Sequence, residues 1–584
     1  MSASETRHGG DEIAEVLVRH GARTLFTLCG GHISPILVAA KARGLRVVDT
    51  RHEANAVFAA DATARLTGLP GVAAVTAGPG LTNVATAVQN ARMAQSPVLV
   101  LGGATATVLK GRGSLQDIDQ QGVAAPLFKW QGRARRVREL APLVEEALWR
   151  AADGVPGPVF VECPVDLLYP EALVRDWYGV AKPVERPSLA KRLERTYLST
   201  HLARVFARAS RRSRGPAVAL HPTPPEAEAA AVARAGRAVA GAERPVLVLG
   251  SQATLDPAGL GDLVAAIERL ALPVWLSGMA RGLLGPSHPL LFRHRRKEAL
   301  READLVLLAG VPCDFRLDYG RSIPRRAKLV AVNRDRDDLS RNRAPQIGAL
   351  GDPAQFVRAL AGRATPRERA SWFERLRERE TAREAEIAAQ AAAPGEGGLN
   401  PLALLRALDE FLDARAVLVA DGGDFVGTAS YVVRARSPLG WLDPGVFGTL
   451  GVGGGFALGA QLARPEAETW ILYGDGSVGF SLAEFDTFAR HGVPVIALVG
   501  NDRSWGQIAR DQVPALGDAV GTELAATAYE RVAEGLGGRG LRIERGEQIV
   551  PAFEQARRWA SEGHAVLINA MLARSEFRQG SISL

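Results

Sequence analysis

Residues 469–506 constrain the fold of this 584-residue chain more than any other stretch. Two apolar runs of strand length flank a segment whose apolar residues recur at helical spacing. Strand–helix–strand units of this kind form right-handed crossovers between parallel strands. We therefore expect both strands to end at the same edge of one sheet. The strands are predicted at residues 469–473 and 493–499, and the helix carries Leu482, Phe485 and Phe488.

An aspartate lies just after each of these strands. Asp475 belongs to the turn Gly474-Asp475-Gly476-Ser477, and Asp502 follows the second strand. Open α/β sheets bind ligands at the carboxyl edge, so the two carboxylates are expected to converge there. Hard oxygen ligands suit Mg²⁺, which takes further ligands from phosphate oxygens. An ordinary Gly-Asp-Gly turn is the alternative that this stretch alone leaves open.

The composition excludes several classes of protein. The chain has 71 basic and 63 acidic residues, a net charge of +8 that favours anionic small molecules over nucleic acid. Cys29, Cys163 and Cys313 lack disulfide or metal-ligand spacing, which indicates a reducing compartment. The sequence has neither a signal-peptide pattern nor an apolar run long enough to span a bilayer. We expect a cytoplasmic protein with no membrane attachment and no nucleic-acid partner.

Strand and helix patterns alternate along most of the chain and predict an α/β fold with three doubly wound domains. The N-terminal domain is expected at 1–182, the central domain at 243–364 and the C-terminal domain at 400–584. A connecting segment at 183–242 contains the basic pairs Lys191-Arg192 and Arg211-Arg212, and an exposed helical linker is expected at 365–399. Further strands are predicted at 24–28, 46–49, 71–76, 97–101, 159–162, 244–250, 272–276, 304–309, 328–333, 416–420 and 564–569.

Several motifs occur in a fixed order along the chain. They are Arg51-His52-Glu53-Ala54-Asn55, Gly78-Pro79-Gly80-Leu81-Thr82-Asn83 and Gly474-Asp475-Gly476-Ser477 followed by Asn501-Asp502. With them the chain resembles, over nearly its whole length, thiamine-diphosphate enzymes of the acetolactate synthase type. It is most similar to the acetolactate synthase-like branch described as 2-hydroxyacyl-CoA lyases. The stretches 30–35, 419–427, 447–453, 499–502 and 577–584 carry this closer match.

The resemblance assigns catalytic roles to three residues of the N-terminal domain. Glu53 would hydrogen-bond the pyrimidine ring of thiamine diphosphate, a role that needs a buried carboxyl group. Gln116 would line the substrate side of the cofactor. His32 would carry a proton or contact the substrate, although a structural histidine is the alternative.

The resemblance assigns the metal and the diphosphate to the C-terminal domain. Mg²⁺ would be bound by Asp475, Asp502 and the carbonyl of Ser504. Asp502 stands where the family usually has Asn, so the added charge should tighten Mg²⁺ binding or require a basic neighbour, for which Arg503 is the candidate. Asp421 is expected to help position the pyrimidine end. The cofactor would also contact Gly422, Gly423, Leu450, Gly474, Gly476 and Ser477, with Leu450 beneath it.

The implied reaction cleaves a 2-hydroxyacyl-CoA to formyl-CoA and an aldehyde, and the reverse reaction joins them. Basic residues 293–297, with Arg316, Arg321 and Arg334, are candidates for the phosphates of CoA, and a solvated basic patch is the alternative. In the family the glutamate and the metal site of one centre come from different subunits. A homo-oligomer, either a dimer or a tetramer, is therefore expected.

Other functions are also open, both among thiamine-diphosphate enzymes and in other classes of protein. An acetolactate synthase would join 2-oxoacids and usually carry FAD in the central domain, and a related 2-oxoacid decarboxylase is also open. A dinucleotide-binding oxidoreductase would require the Rossmann glycine spacing, which residues 78–83 lack. A non-catalytic relative is disfavoured because both Glu53 and Asp475 are present.

Overall fold

The computed structural model describes residues 7–183, 188–207, 222–363 and 367–579. The chain forms two compact units, one of residues 1–65 and 69–222 and the other of residues 66–68 and 223–584. Each helix in the described ranges is too short or too polar to span a bilayer. The basic pair Arg211-Arg212 and the end of the predicted tail, 580–584, lie outside the described residues.

The first unit is built on a parallel sheet with the strand order β2-β1-β3-β4-β6-β5. Its core contains the apolar faces of helices packed on the sheet, because parallel sheets are covered on both faces. The strands are β1 Thr24–Thr27, β2 Arg46–Asp49, β3 Gly71–Val75, β4 Val98–Ala104, β5 Trp130–Arg133 and β6 Val159–Pro164. The helices are α1 Gly9–Arg19, α2 Ser34–Ala42, α3 Glu53–Thr67, α4 Pro79–Thr82, α5 Ala85–Met93, α6 Gln120–Ala124, α7 Leu140–Ala152, α8 Val165–Leu168, α9 Glu171–Trp177 and α10 Leu189–Val205.

The second unit begins with a smaller parallel sheet, the central sheet, with the order β11-β10-β9-β7-β8. Its strands are β7 Pro245–Leu249, β8 Val274–Leu276, β9 Leu305–Ala309, β10 Lys328–Asn333 and β11 Ile347–Leu350. Its helices are α11 Ala229–Gly241, α12 Leu260–Leu270, α13 Arg296–Glu302, α14 Arg336–Ser340 and α15 Pro353–Ala361. Helix α11 lies in the segment predicted as a connection, but its buried face packs on α15 and β11. This helix therefore extends the central domain ahead of residue 243.

The third sheet repeats the topology of the first. Its order is β13-β12-β14-β15-β17-β16, which matches the first sheet strand for strand. The strands are β12 Ala416–Ala420, β13 Trp441–Leu442, β14 Glu468–Gly474, β15 Ile496–Asn501, β16 Arg539–Ile543 and β17 Val566–Met571. The helices are α16 Ala370–Ala392, α17 Pro401–Phe411, α18 Asp424–Val432, α19 Val452–Ala463, α20 Asp475–Val478, α21 Glu484–His491, α22 Gly506–Leu516, α23 Tyr529–Gly535 and α24 Ile549–Ser561. The predicted fold class, three doubly wound α/β domains, is confirmed.

The strands that the sequence did not predict all lie at sheet edges. They are β5, β11, β13 and β16, and each pairs with a neighbour on one side only. An edge strand needs no continuous apolar run, since one side of it faces no other strand. The sequence Arg-Gly-Leu-Arg-Ile of β16, for example, has only its last residue buried. Periodicity therefore identified interior strands better than edges.

The helical linker is not simply exposed, as the sequence suggested. Helix α16 occupies 370–392 of the predicted 365–399, but Trp372 and Leu376 are buried in the core of the central domain. The Trp372 indole donates a hydrogen bond of 3.0 Å to the Pro245 carbonyl. Further along, Ile387 enters the core of the C-terminal domain. Because apolar residues are sparse among its Arg and Glu residues, the helix looks solvated in sequence but joins two cores.

Candidate active site

The first set of predicted residues gathers at the carboxyl edge of the first sheet, where β1 and β3 lie side by side. From β1 the chain crosses to β2 on one side, and from β3 it crosses to β4 on the other side. Sheets of this kind bind ligands at the point between two such strands. His32 follows β1, and its Nδ1 lies 3.3 Å from the hydroxyl of Thr76, which follows β3. Burial lowers the pKa of His32, so its imidazole is neutral near pH 7. Among the described residues nothing is hydrogen-bonded to Nε2, the atom that could take a proton.

Glu53 begins helix α3 and is only 5% exposed. Its Oε2 accepts a hydrogen bond of 3.0 Å from the side-chain amide of Asn83, the last residue of the Gly78-to-Asn83 motif. Within the described part of the chain Oε1 has no such partner. The structure therefore holds one carboxylate oxygen in place and leaves the other for a ligand.

Gln116 packs on the same turn. A Cβ atom added at Gly78 would lie 2.9 Å from the Gln116 carbonyl oxygen, so the close approach requires glycine. Gln116 itself has φ of 62°, a left-handed conformation that side chains rarely adopt and that is common at functional sites. The Gly78 amide also donates a hydrogen bond of 3.1 Å to buried Gln120. Glu53, His32 and Gln116 thus converge around one glycine turn.

The second set lies at the corresponding edge of the third sheet. Gly474 pairs with Gly500, so Asp475 and Asp502 leave adjacent parallel strands at the same level. One Asp475 oxygen accepts from the Gly476 amide at 2.9 Å and the other from the Ser504 amide at 3.1 Å. These bonds orient the carboxylate and tie the two strand ends together.

The two aspartates carry an electrostatic cost. Burial raises the pKa of Asp475. Burial, followed by the charges of Asp475 and Asp424, raises the pKa of Asp502 to about 7. The cation that opposes this shift is Arg574 rather than the expected Arg503, which is exposed. Two buried carboxylates and a backbone carbonyl are hard oxygen donors, so this set fits Mg²⁺.

Arg503 contributes through its backbone instead. Its φ is 61°, in the left-handed region, and its carbonyl accepts a hydrogen bond of 2.9 Å from the Leu524 amide. This turn reverses the chain between the two predicted ligands Asp502 and Ser504. The Ser504 hydroxyl donates to the Thr522 carbonyl at 3.2 Å, so the serine is held through its side chain.

Gly422 and Gly423 follow β12, and Leu450 packs directly on Gly422. A Cβ atom at Gly422 would lie 2.3 Å from Leu450 Cδ2, and one at Gly474 would lie 3.3 Å from the Gly422 carbonyl oxygen. Gly423 has φ of 102°, which requires glycine. Ser477 closes the neighbouring turn, because its hydroxyl accepts from the Gly474 amide at 3.0 Å. The predicted cofactor residues of this domain therefore form one backbone-lined cradle.

Sequence reasoning missed the residues that hold this machinery. Asn83 ends the motif of residues 78–83 and Thr76 lies just before it, but nothing in the sequence marked either residue as a partner of Glu53 or His32. Tyr529 donates a hydrogen bond of 2.8 Å to the Asp475 carbonyl from more than 50 residues away. Asp421 was expected at the pyrimidine end, but its carboxylate is bonded to the amides of Gly451 and Gly453. Such long-range partners have no signature in a single sequence.

A basic cavity of about 690 Å³ lies within the second unit, between central-domain and C-terminal-domain residues. Residues 293–297 and Arg316, which are candidates for the phosphates of CoA, line it. Arg321 and Arg334 are outside this lining and are paired with Asp318 and Asp352 at 2.6 Å each. Further cations that line the cavity are Arg281, Arg383, Arg434 and Arg578.

The arginines of this cavity are crowded and poorly solvated. Burial lowers the pKa of Arg281, of Arg293 and of Arg296. The Arg281 guanidinium lies over Trp441 at 5.0 Å, and its Nε has no hydrogen-bond partner among the described residues. An anion would relieve both the repulsion and the missing hydrogen bond.

Comparison with known families agrees with this architecture domain by domain. The N-terminal TPP binding domain of thiamine pyrophosphate enzymes matches residues 7–123. The central domain of the same enzymes matches residues 232–360, and their C-terminal TPP binding domain matches residues 421–570. These three matches cover one α/β domain each.

Curated relatives match over almost the full chain. A protein of Danio rerio named 2-hydroxyacyl-CoA lyase 2 is 52% identical over 99% of this chain and 94% of its own length. The protein of that name from Homo sapiens is 50% identical over 100% and 93%. A probable acetolactate synthase of Mycobacterium bovis is 34% identical over 95% and 94%. By its domain matches and these relatives, the chain belongs to the thiamine pyrophosphate enzyme family.

Proposed function

We propose that this protein is a thiamine-diphosphate-dependent lyase that cleaves a 2-hydroxyacyl-CoA to formyl-CoA and an aldehyde, and that also joins them in reverse. The observation that carries the proposal is the full-length similarity, at about half identity, to proteins named 2-hydroxyacyl-CoA lyase 2. In the cleavage the C1–C2 bond breaks, the 2-hydroxyl loses its proton, and the formyl carbon gains one. Acetolactate synthase-type condensation of 2-oxoacids is the second candidate, favoured by a relative at lower identity.

The bound cofactor supplies a nucleophilic carbon and an electron sink. Glu53 would exchange a proton with a ring nitrogen of the cofactor through Oε1, since its carboxyl group is buried and Asn83 fixes Oε2. His32 takes and returns the substrate proton at Nε2, because its lowered pKa keeps it neutral. Gln116 orients the reacting carbonyl group through its side-chain amide.

Asp475, Asp502 and the Ser504 carbonyl would hold Mg²⁺, whose charge would neutralise the aspartate pair and attract the diphosphate. The backbone of Gly474, Gly476 and Ser477 receives the diphosphate, and Gly422 and Gly423 complete the cradle. Leu450 supports the cofactor from below. The second carboxylate, in place of the usual Asn, adds attraction for the metal at the cost of repulsion when the metal is lost.

The phosphates of CoA bind in the basic cavity of the second unit. Arg281, Arg293 and Arg296 favour an anionic partner because burial deprives their charges of water. Guanidinium groups bind phosphate through paired hydrogen bonds. Tyr431, also at this cavity, offers an aromatic surface for a nucleotide base.

The complete active centre is formed by a homo-oligomer, a dimer or a tetramer, with Glu53 and the metal site supplied by different subunits.

The protein works in a reducing compartment such as the cytoplasm. The cysteines support this location, since Cys29, Cys163 and Cys313 are all free thiols in the described chain.

Incubation of the purified protein with thiamine diphosphate, Mg²⁺ and a 2-hydroxyacyl-CoA should release equal amounts of aldehyde and formyl-CoA, measured by chromatography. A parallel assay with pyruvate and an absorbance spectrum for bound flavin test the second candidate. Product from pyruvate alone, together with flavin absorbance, would transfer the assignment to acetolactate synthase.

Glu53→Gln should lower kcat by about 100-fold or more, because the amide cannot exchange a proton with the ring. Its Kd for thiamine diphosphate, measured by calorimetry, should stay close to that of the unmodified protein. Glu146→Gln, a change at an exposed glutamate of α7, is the matched control. Unchanged turnover in the Glu53 variant would refute the proton-transfer role.

Removal of divalent metal with a chelator should release thiamine diphosphate, measured in the filtrate after ultrafiltration. Asp475→Asn should raise the Kd for the cofactor about tenfold or more at fixed Mg²⁺, since one charged ligand is lost. Asp518→Asn changes an exposed aspartate of the same domain and should have no effect. Retention of the cofactor without metal would contradict the metal site.

Arg296→Ala should raise the KM for 2-hydroxyacyl-CoA about tenfold, with little change in kcat, because a charged hydrogen bond to phosphate is lost. The KM for the corresponding acyl-pantetheine, which lacks the nucleotide phosphates, should not change. Arg326→Ala, at an exposed arginine outside the cavity, is the control. An equal effect on both substrates would place the CoA phosphates elsewhere.

A further inference from the structure

A buried carboxylate lies directly behind the loop that carries Leu450. Asp421 follows β12, is 2% exposed, and is held at the sheet edge because its amide donates to the Leu472 carbonyl at 3.0 Å. One oxygen of its carboxylate accepts from the Gly451 amide at 2.9 Å and the other from the Gly453 amide at 2.6 Å. Both oxygens therefore bind the residues that follow Leu450, and the Ser477 hydroxyl is a further hydrogen-bond partner of the carboxyl group.

These amides lie at the N-terminus of helix α19. The N-cap residue of this helix is Gly451, which has no side chain that could accept a hydrogen bond. The first amides of a helix lack partners within it, and a negative charge is favoured at this end. Asp421 supplies the acceptors from another strand of the sheet, although burial raises its pKa to about 7. It thereby connects the end of β12 rigidly to the start of α19.

The Leu450 loop has little stiffness of its own. Gly448 and Gly451, on either side of it, have φ of 66° and 88°, conformations that favour glycine. The Leu450 side chain rests on Gly422, where a Cβ atom would lie only 2.3 Å from Cδ2. The two residues Asp421 and Gly422 thus hold both the backbone and the side chain of this loop.

We propose that Asp421 is a positioning residue that sets the height of Leu450 beneath the cofactor, and that it controls turnover rather than cofactor affinity. The inference rests on the proposed function, in which Leu450 supports the cofactor. Affinity depends mainly on Asp475 and Asp502, which leave β14 and β15, and Asp475 is oriented by the amides of Gly476 and Ser504. Asp421 instead acts through the loop from Gly448 to Gly453.

Asp421→Asn replaces one acceptor oxygen with an NH₂ group that faces an amide donor. We expect kcat to fall about tenfold or more, because a buried hydrogen bond is lost and Leu450 shifts. The Kd for thiamine diphosphate, measured by calorimetry at saturating Mg²⁺, should change by less than about threefold. A loss of affinity that matches the loss of kcat, or an unchanged kcat, would overturn the proposal.

A control separates positioning from simple helix capping. Asn400 caps α17 in the same domain, since its Oδ1 accepts from the amides of Leu402 at 2.8 Å and Ala403 at 3.4 Å. Asn400→Ala should lower the midpoint of thermal unfolding, as loss of a cap does, but leave kcat of the folded protein unchanged. A fall in kcat as large as that of Asp421→Asn would mean that loss of any cap slows the enzyme, against the proposal.

A double-mutant cycle tests whether Asp421 acts through Leu450. In the Leu450→Ala background, Asp421→Asn should reduce kcat by less than about threefold, because the residue that it positions is already gone. Multiplicative losses would contradict the proposal. Gly422→Ala disturbs the Leu450 side chain but leaves the Asp421 carboxyl group in place. This substitution should lower kcat when it is made by itself, but it should cause little further loss in the Leu450→Ala background.

Binding of thiamine diphosphate to the unmodified protein distinguishes failure of the proposed function from failure of the positioning role alone. If the unmodified protein fails to bind thiamine diphosphate, the proposed function is wrong. If it binds and turns over substrate while the Asp421 and Gly422 variants behave like the unmodified protein, only the positioning role is wrong.

Discussion

Parallel pairing is the constraint on which the rest of this protein depends. In a parallel sheet all strands end at the same edge, so residues that are remote in sequence meet there. The first and third sheets share the strand order 2-1-3-4-6-5 and use the same carboxyl edge. At the first sheet this edge gathers a carboxylate, an imidazole and an amide, and at the third it gathers two carboxylates, which leave the neighbouring strands β14 and β15. One backbone arrangement therefore creates two different chemical surfaces.

The surface at the third sheet is stable only with help from its surroundings. Asp475 and Asp502 are close together and partly desolvated, which raises the pKa of both carboxyl groups. Backbone amides supply part of the compensation, and Arg574 supplies a charge. Asp424, which adds to the repulsion, is itself paired with Arg510 at 2.5 Å. A divalent cation would offset the remainder of this repulsion.

The opposite imbalance occurs in the basic cavity of the second unit. There, buried arginines have lowered pKa values, and the Nε atoms of Arg281 and Arg578 lack a hydrogen-bond partner among the described residues. Glu380 and Glu384 on helix α16 bind the adjacent backbone and His294, so they hold this basic segment in place. The helix taken from the sequence as an exposed linker is thus part of the wall that shapes the cavity. The excess positive charge of this cavity suits an anionic substrate, and the excess negative charge at the aspartates suits a cation.

The sequence alone determined the class of fold and the interior strands, because these follow from periodicity, and it supplied the candidate site residues through motifs of contiguous residues that resemble those of the family. Glu53 and the turn that ends at Asn83, and Asp475 with Asp502, could be predicted for this reason. Only the tertiary structure decided how they are held: Asn83 on Glu53, Thr76 on His32, and Asp421 on the loop of Leu450. It also decided the edge strands and the buried side of helix α16. These features depend on contacts between residues distant in sequence, and a single sequence has no local pattern that records such contacts.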